Sequence, residues 1–349
     1  MPGSASVVDV ARRAGVSVGT VSNVLNRPES VAPGTRERVQ AAIEELGFIR
    51  NEAARQLRAG RSRTIGLVVL DVGNPFFTDL AVGVESAAAD SGLSVILCNS
   101  AQSVTREDHY LKLLQAQRSY GVLVTPVSAR RGQIDEIRRS GTPAVLVDTG
   151  SSRRRCSVSV NDTVGGELAV AHLLKLGHER IAFAGGPMGL RQISDRLQGA
   201  RQAALTTTAG CQIEVVETPL LNVAEGRQAG ARIAAMTAKT RPTAVFCAND
   251  LLALGLLQEM TSRGIRVPDD LAIVGYDDIV FAAAAAVPLT SIHQPSSQLG
   301  GAATQLLIDE VVNPRDHRHR QVVFEPELIV RHSTDPTTVD TARGDPSLG

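Results

Sequence analysis

The first 48 residues place apolar side chains at helical spacing, in three segments that are separated by turn residues. The first and third segments repeat apolar positions at i, i+3, i+4 and i+7, which lie on one face of a helix. Gly15 follows the first segment, and Ser17 can cap the second by accepting a backbone N–H bond. In this second helix we expect Val18, Val21 and Leu25 to face inward. The pattern therefore predicts a head of three short helices.

From Thr64 onward, short apolar runs of strand length alternate with stretches of helical length. Such alternation predicts parallel sheets with helices on both faces. Roughly 270 residues are too many for one such sheet, so we expect two lobes. The predicted fold class is an all-α head followed by a two-lobed α/β body with parallel sheets. The predicted strands cover residues 65–70, 94–98, 121–125, 143–147, 181–184, 243–248 and 271–276.

Charge is distributed unevenly between these two parts of the chain. The whole sequence is formally neutral, but residues 1–63 hold ten Arg against six acidic residues, a net +4 that the rest of the chain balances with −4. A basic head on an acidic body indicates that the head has an anionic partner, such as nucleic acid.

Composition disfavours several other classes of protein. The first 30 residues contain no long apolar run, and no stretch approaches the ~20 apolar residues of a membrane span. We therefore expect a cytoplasmic protein with no secretory signal and no membrane partner. The four cysteines lie far apart, and no pair has metal-ligand spacing. We expect reduced thiols, no metal site and no cofactor.

A helix, a tight glycine turn and a second helix form the helix-turn-helix arrangement, whose second helix enters the major groove of DNA. Thr20 and Asn23 would face outward and could reach base edges, since Asn pairs well with adenine. The short polar side chains of Ser17, Ser22 and Asn26 suit phosphate oxygens. A small helical bundle with no DNA partner is an alternative that this pattern leaves open.

The run VVDVARRAGVSVGTVSNVLNRPESVAPGTRERVQAAIEELGF closely resembles the head of the lactose-repressor/galactose-repressor (LacI/GalR) family. The resemblance implies that Val18 and Gly19, the first positions of the recognition helix, choose the operator. Neither residue has a side chain that can form hydrogen bonds, so we expect apolar contact with a thymine methyl group there. Ala32 departs from the family, which usually has a Ser cap at this position, and should weaken the start of the third helix.

Residues 51–62 (NEAARQLRAGRS) resemble the family's hinge helix. By position, Leu57 matches the leucine that wedges into the minor groove and kinks the DNA. Arg55 would lie near the phosphates. The alternative for Leu57 is a core position in a short amphipathic helix. Such a helix is too short to be stable alone, so we expect it to fold on DNA and on its dimer mate.

Polar residues follow the predicted strands of the body, where ligands of open α/β sheets bind. Asp148, Asn249 and Asp277 are such residues, and they suit a ligand rich in hydroxyl groups. Each could instead be a helix cap or a turn residue. Arg196, which we place at the start of a helix, can grip two oxygens at once. Phe76, expected in the loop after the first strand, could cover an apolar sugar face.

The resemblance continues through the body in segments such as GHERIAFAGGP, AVFCANDLLALG and VPDDLAIVGYDD. It implies a body similar to periplasmic sugar-binding proteins. Arg196 and Asp277 match the family's principal ligand contacts, and Phe76, Asp148 and Asn249 match secondary ones. Family members recognise mostly sugars and sugar phosphates, and in some cases purines.

These patterns predict a sequence-specific transcription regulator, a homodimer that binds palindromic double-stranded operator DNA under the control of a small effector, most simply a sugar. The alternatives are a transport-type sugar-binding protein and a sugar-handling enzyme, although no nucleophile–base grouping is visible. The expected domains are a head at 1–48, a hinge helix and linker at 49–62, a body at 63–334 (lobe one 63–161 and 292–321, lobe two 162–291 and 322–334) and a disordered tail at 335–349.

Overall fold

A computed structural model describes residues 5–48, 62–128, 132–150, 155–205 and 211–335. The chain divides into two compact units, Met1–Arg61 and Ser62–Gly349. The expected hinge helix and almost all of the expected tail lie outside the described residues. Across the described ranges, no helix is both long enough and apolar enough to cross a membrane.

The first unit is the expected three-helix head. Gly15 ends α1 with a φ of +66°, a left-handed conformation that glycine adopts without a steric cost. Ser17 caps α2 by accepting a hydrogen bond from the backbone N–H of Thr20 at 3.0 Å. The inward face of α2 differs from the expected one, because Val24 is buried whereas Val18 is 43% exposed. The helices are α1 Val7–Ala14, α2 Val18–Asn26 and α3 Pro33–Leu46, with a 3₁₀ turn at Pro28–Ser30.

Lobe one is a six-stranded sheet with the order β11-β5-β4-β3-β1-β2, in which every pair is parallel. Helices cover both faces, because Leu67 and Val69 of β1 pack into one apolar cluster and Val68 packs into another. Its strands are β1 Thr64–Val69, β2 Ser94–Asn99, β3 Gly121–Val124, β4 Ala144–Val147, β5 Ser157–Val160 and β11 Gln321–Phe324. Its helices are α4 Pro75–Asp90, α5 Val104–Ala116, α6 Gly132–Arg139 and α12 Ser296–Val312.

Lobe two is a second six-stranded sheet with the order β12-β10-β9-β8-β6-β7. All its pairs are parallel except β10 with β12. Its strands are β6 Arg180–Gly185, β7 Gln212–Glu217, β8 Ala244–Cys247, β9 Ala272–Asp277, β10 Thr290–His293 and β12 Glu327–Ile329. Its helices are α7 Asp162–Lys175, α8 Arg191–Leu205, α9 Val223–Ala234, α10 Asp250–Ser262 and α11 Val280–Ala283.

The seven apolar runs are all strands, which confirms the α/β fold class. Five further strands were not expected from the sequence, and β7 and β11 among them lie at sheet edges with exposed residues at alternate positions. The strand positions also correct the lobe boundaries. The chain crosses between lobes at Asn161, as expected, but its later crossings lie at 294–295 and 325–326 rather than near 292 and 321.

Helices α7 and α8 pack closely within lobe two. A Cβ atom added at Gly199 would overlap the backbone oxygen of Thr163, and one added at Gly166 would overlap the backbone oxygen of Arg196. The two glycines therefore allow the helix backbones to touch. This contact fixes the position of α8, which carries Arg196 into the interior.

Candidate functional site

The proposed DNA-reading residues lie on one surface of the head. Five of the seven are exposed, and Thr20 and Ser22 are half-buried. Several side chains also hold one another, because the Oγ1 of Thr20 lies 2.9 Å from the Oγ of Ser17, and Asn26 donates from Nδ2 to the backbone oxygen of Ser22 at 2.8 Å. The exposed residues are Ser17, Val18, Gly19, Asn23 and Asn26.

The exposure of Val18 places an apolar side chain at the first position of α2, where the family resemblance implies an operator contact. The sequence had suggested both that Val18 faces the core and that it contacts the operator. Because the side chain is exposed, only the second role agrees with the structure. Arg55 and Leu57, the residues expected to act through the hinge helix, lie outside the described residues.

All five predicted ligand contacts line a single cavity between the two lobes. The strands of both sheets end at this cavity, as expected for an open α/β fold. Its walls combine carboxylates and amides with the rings of two phenylalanines. The lining residues are Leu70, Asp71, Asn74, Phe76, Phe77, Gln102, Asp148, Gln192, Ile193, Arg196, Leu221, Asn249 and Asp277.

Asp148 follows β4 and presents a carboxyl oxygen that can still accept a hydrogen bond in the cavity. Its side chain is buried, and its Oδ2 accepts a hydrogen bond from Nε2 of Gln192 at 3.2 Å. Its Oδ1 is buried without a hydrogen-bond donor among the described residues. Burial raises the pKa of this carboxyl well above its usual range, and the nearby Asp162 carboxylate raises it further. A ligand hydroxyl group could supply the missing donor.

Arg196 lies in the second turn of α8 rather than at a helix start, and it is only 3% exposed. It donates from Nε to Oδ1 of Asp162 at 2.8 Å and from Nη1 to the backbone oxygen of Ala248 at 2.7 Å. Its guanidinium carbon stands 3.6 Å from the centre of the Tyr276 ring. Burial alone would lower the pKa of Arg196, but Asp162 together with Tyr276, Asp277 and Asp148 outweighs burial, and the pKa lies above its ordinary value. Arg196 is therefore a charged member of the lobe-two core as well as part of the cavity wall.

Asp277 ends β9 and faces the cavity from lobe two. Its Oδ2 accepts from Nδ2 of Asn74 at 2.8 Å, and its Oδ1 accepts from Nε2 of Gln294 at 2.7 Å. Arg196 is 3.9 Å away. Burial raises the pKa of Asp277 to about 6, against the opposing effects of Arg196 and the two amides. Because Asn74 caps α4 of lobe one, its bond to Asp277 joins the two lobes directly.

Two predicted ligand residues lie at helix starts. Phe76 lies in the first turn of α4, not in a loop, and its ring meets that of Phe77 edge-on with centroids 5.0 Å apart. Asn249 is the N-cap of α10, where its Oδ1 accepts from the backbone N–H of Leu252 at 3.0 Å. The neighbouring Asp250 accepts hydrogen bonds from the backbone N–H of Ile279 and from the hydroxyl of Ser291.

Sequence reasoning missed the residues that organise these contacts. Asp162 pairs with Arg196 and accepts a hydrogen bond from the hydroxyl of Tyr276 at 3.0 Å. Gln192 and Gln294 hold the two carboxylates that were predicted to bind ligand. None of these residues follows a predicted strand, so their position in the sequence gave no reason to select them.

A helix-turn-helix head joined to a two-lobed α/β body with a polar cavity between the lobes defines a ligand-responsive transcription regulator. The head matches the model for bacterial regulatory proteins of the lacI family over residues 6–51, and residues 170–334 match the periplasmic binding protein-like domain. The chain is 35% identical over 333 residues to the HTH-type transcriptional repressor PurR of Photobacterium profundum, covering 94% of this chain and 98% of that one. The chain therefore belongs to the LacI family of bacterial transcription regulators.

Solved structures agree with this assignment over nearly the whole length of the chain. The lac repressor dimer bound to operator and the anti-inducer ONPF has 28% identity and a TM-score of 0.80, with 95% of this chain and 99% of that chain covered. The complex of the transcriptional regulator CelR with cellobiose has 30% identity and a TM-score of 0.69, with 94% and 99% covered. The expected fold class and family are confirmed, and the chain is a DNA-binding regulator whose body takes a small ligand.

Proposed function

We propose that this protein is a cytoplasmic, homodimeric repressor that binds a palindromic operator and responds to an uncharged, polyhydroxylated effector such as a sugar. The observation that carries the proposal is the convergence of Phe76, Asp148, Arg196, Asn249 and Asp277 on one cavity between the lobes. The lac repressor structure supports the dimer and the operator, and the CelR–cellobiose complex supports a sugar.

The charges around the cavity favour a neutral ligand over a phosphorylated one. Among the described lining residues, three are acidic (Asp71, Asp148 and Asp277) and one is basic. That basic residue, Arg196, is already paired with Asp162 at 2.8 Å. A phosphate group would therefore lie beside carboxylates without a free cation to balance it, which is costly in a buried site. Sugar hydroxyl groups would instead donate to the carboxylate oxygens.

Effector binding would act on the contacts that already join the lobes. Asn74 bonds to Asp277, and Gln192 bonds to Asp148, so each pair links the two sides of the cavity. A ligand that offers its own donors to these carboxylates competes with the amides and changes the free-energy balance between lobe arrangements. It can shift that balance only by its difference in affinity for the two arrangements.

The effector class can be tested by thermal unfolding of the full chain with neutral mono- and disaccharides, sugar phosphates and purine bases. We expect a neutral sugar to raise the melting temperature and to alter operator affinity. Asp148→Asn is the diagnostic variant, because Asn tolerates the φ of +55° at this position. It should weaken effector binding about two- to tenfold, roughly the worth of one hydrogen bond, because the amide offers one acceptor oxygen where the carboxyl group offers two. Stabilisation by sugar phosphates or purines alone would refute the neutral-sugar proposal.

Operator recognition can be tested by selecting binding sites from random DNA. A two-fold dimer should select an inverted repeat with half-sites about one helical turn apart, and its affinity should fall steeply with salt. Leu57→Ala should weaken specific binding by roughly a few kcal/mol, the cost associated with a kinked step, and spare non-specific binding. A direct repeat, or an equal loss of both kinds of binding, would count against the model.

A further inference from the structure

Four potential metal ligands converge in lobe one, away from the effector cavity. Cys156 precedes β5, Glu310 lies in the last turn of α12, and His317 and His319 lie in the segment that leads into β11. One ligand atom from each residue lies within 4.8 Å of the others. The pairing of β5 with β11 brings the segments together, which is why the sequence alone gave no metal-ligand spacing.

The separations between these atoms fit a tetrahedral zinc ion. Zn–S bonds of ~2.3 Å and Zn–N bonds of ~2.0 Å at tetrahedral angles place sulfur and nitrogen about 3.6 Å apart. The Sγ of Cys156 is 3.2 Å from Nε2 of His317 and 3.7 Å from Nδ1 of His319. Oε2 of Glu310 is 3.9 Å from Nε2 of His317. Small side-chain shifts would bring all four atoms onto one ion.

The surroundings of the cluster resemble those of structural metal sites. Nδ1 of His317 lies 2.8 Å from Oδ2 of Asp309, so that carboxylate orients the ring with Nε2 toward the cluster. The backbone N–H of Arg320 donates to Sγ of Cys156 at 3.4 Å, which stabilises a thiolate. Oε2 of Glu310 is buried and accepts no hydrogen bond from the described residues. An ion at the centre would satisfy this oxygen.

We propose that Cys156, Glu310, His317 and His319 form a binding site for a divalent transition-metal ion, with Zn²⁺ as the preferred occupant. One thiolate and one carboxylate would neutralise the charge of the ion, and two neutral imidazoles would complete four-coordination. The thiolate and imidazole ligands select against Mg²⁺, which prefers oxygen ligands. The bound ion would fasten the segment between α12 and β11 to the start of β5.

Arg138 contacts two of the proposed ligand residues through atoms that would not bind the ion. Its Nη2 lies 3.0 Å from Nε2 of His319 and 3.4 Å from Oε1 of Glu310. When Nδ1 of His319 binds a metal, the ring proton resides on Nε2, and this nitrogen can no longer accept a hydrogen bond from Arg138. Arg138 would then keep Glu310 alone as its partner. A purely hydrogen-bonded polar cluster is the alternative that the experiment must exclude.

The test uses the untagged full chain after removal of metals with a chelator. Titration with Zn²⁺ against a chromophoric chelator should give one tight equivalent per chain and a higher melting temperature, whereas Mg²⁺ should have no effect. Replacement by Co²⁺ should give a sulfur-to-cobalt charge-transfer band and the intense visible bands of a four-coordinate ion. Wild-type protein without the charge-transfer band would overturn the proposal, and this result does not depend on any variant folding.

Two variants assign the site to these residues. Cys156→Ser should abolish the charge-transfer band and lower zinc affinity at least tenfold, whereas Cys98→Ser, at a buried cysteine of the same lobe outside the cluster, should leave both unchanged. Asp309→Asn should keep the band but weaken zinc binding roughly 10–100-fold, as changes to groups that orient a metal ligand do. If Cys156→Ser retains the band, or Cys98→Ser loses it, the ion binds elsewhere and the proposed site is wrong.

Discussion

The ionisation of Asp277 should make the stability of the body depend on pH. Burial raises the pKa of this carboxyl from its ordinary value of 3.8 to about 6 in the folded protein. The folded state therefore holds the proton more tightly than the unfolded state. The contribution of Asp277 to stability is complete below about pH 4 and is lost as the pH rises through about 6. The shift of about two units corresponds to about 3 kcal/mol.

The substitution Asp277→Asn removes this ionisation, because the amide is neutral at every pH. Rearrangement of Asn74 and Gln294 around the amide affects stability equally at all pH values and cancels in a difference between conditions. The free energy of unfolding of the variant relative to wild type should rise by about 3 kcal/mol between about pH 4 and pH 7.5. This gain is the charge-burial penalty that the wild type carries above its pKa.

Urea unfolding of both proteins across this pH range, followed by far-ultraviolet circular dichroism, measures the difference. Asp269→Asn is the matched control, because Asp269 is an exposed carboxylate of the same lobe. Its difference from wild type should stay within about 0.5 kcal/mol at every pH, as is usual for surface substitutions. A similarly flat profile for Asp277→Asn would refute the argument that burial dominates the ionisation of Asp277.

Three other changes test the packing and the caps. Ala32→Ser should stabilise the head by about 1 kcal/mol, measured by thermal unfolding, because the first turn of α3 has no side-chain cap; an unchanged melting temperature would contradict this. Gly199→Ala should destabilise the body by about 1–3 kcal/mol in urea unfolding through overlap with Thr163, whereas Gly189→Ala, with open space around it, should be nearly neutral. Arg196→Ala should cost about 3–5 kcal/mol by leaving its buried carboxylate partner unpaired; retention of wild-type stability would show that Arg196 serves the ligand alone.

Periodicity along the chain determined the head and most of the sheets. The helices of the head are each amphipathic, and local features such as the Ser17 cap and the left-handed Gly15 need no distant partner. Six of the seven predicted strands lie in the interior of a sheet, where both faces of a strand are covered. The seventh, β2, lies at a sheet edge and was predicted because its residues are apolar even though Ile96 and Leu97 are exposed. Edge strands such as β7 have one exposed face and carry a weaker apolar pattern, so their existence depends on the neighbour with which they pair.

The resemblance to a known family pointed to the five residues that line the cavity, but their roles depend on partners far away in the sequence. Arg196 was expected to bind two oxygens of the ligand, and its pairing with Asp162 makes it part of the lobe-two core as well. Local sequence could not reveal this, because Asp162 reaches Arg196 only through the close packing of α7 and α8.

The sequence by itself determined the order of elements, the family and the class of protein, because these follow from local periodicity, turn residues and motifs. Tertiary structure alone decided which polar groups are paired and which are left open. The unpaired Oδ1 of Asp148 and the raised pKa of Asp277 arise from burial between two lobes that the chain visits in turn. The convergence of Cys156 with His317 arises in the same way, from the pairing of β5 with β11. Desolvation and hydrogen-bond satisfaction depend on neighbours in space, and adjacency in the chain does not specify those neighbours.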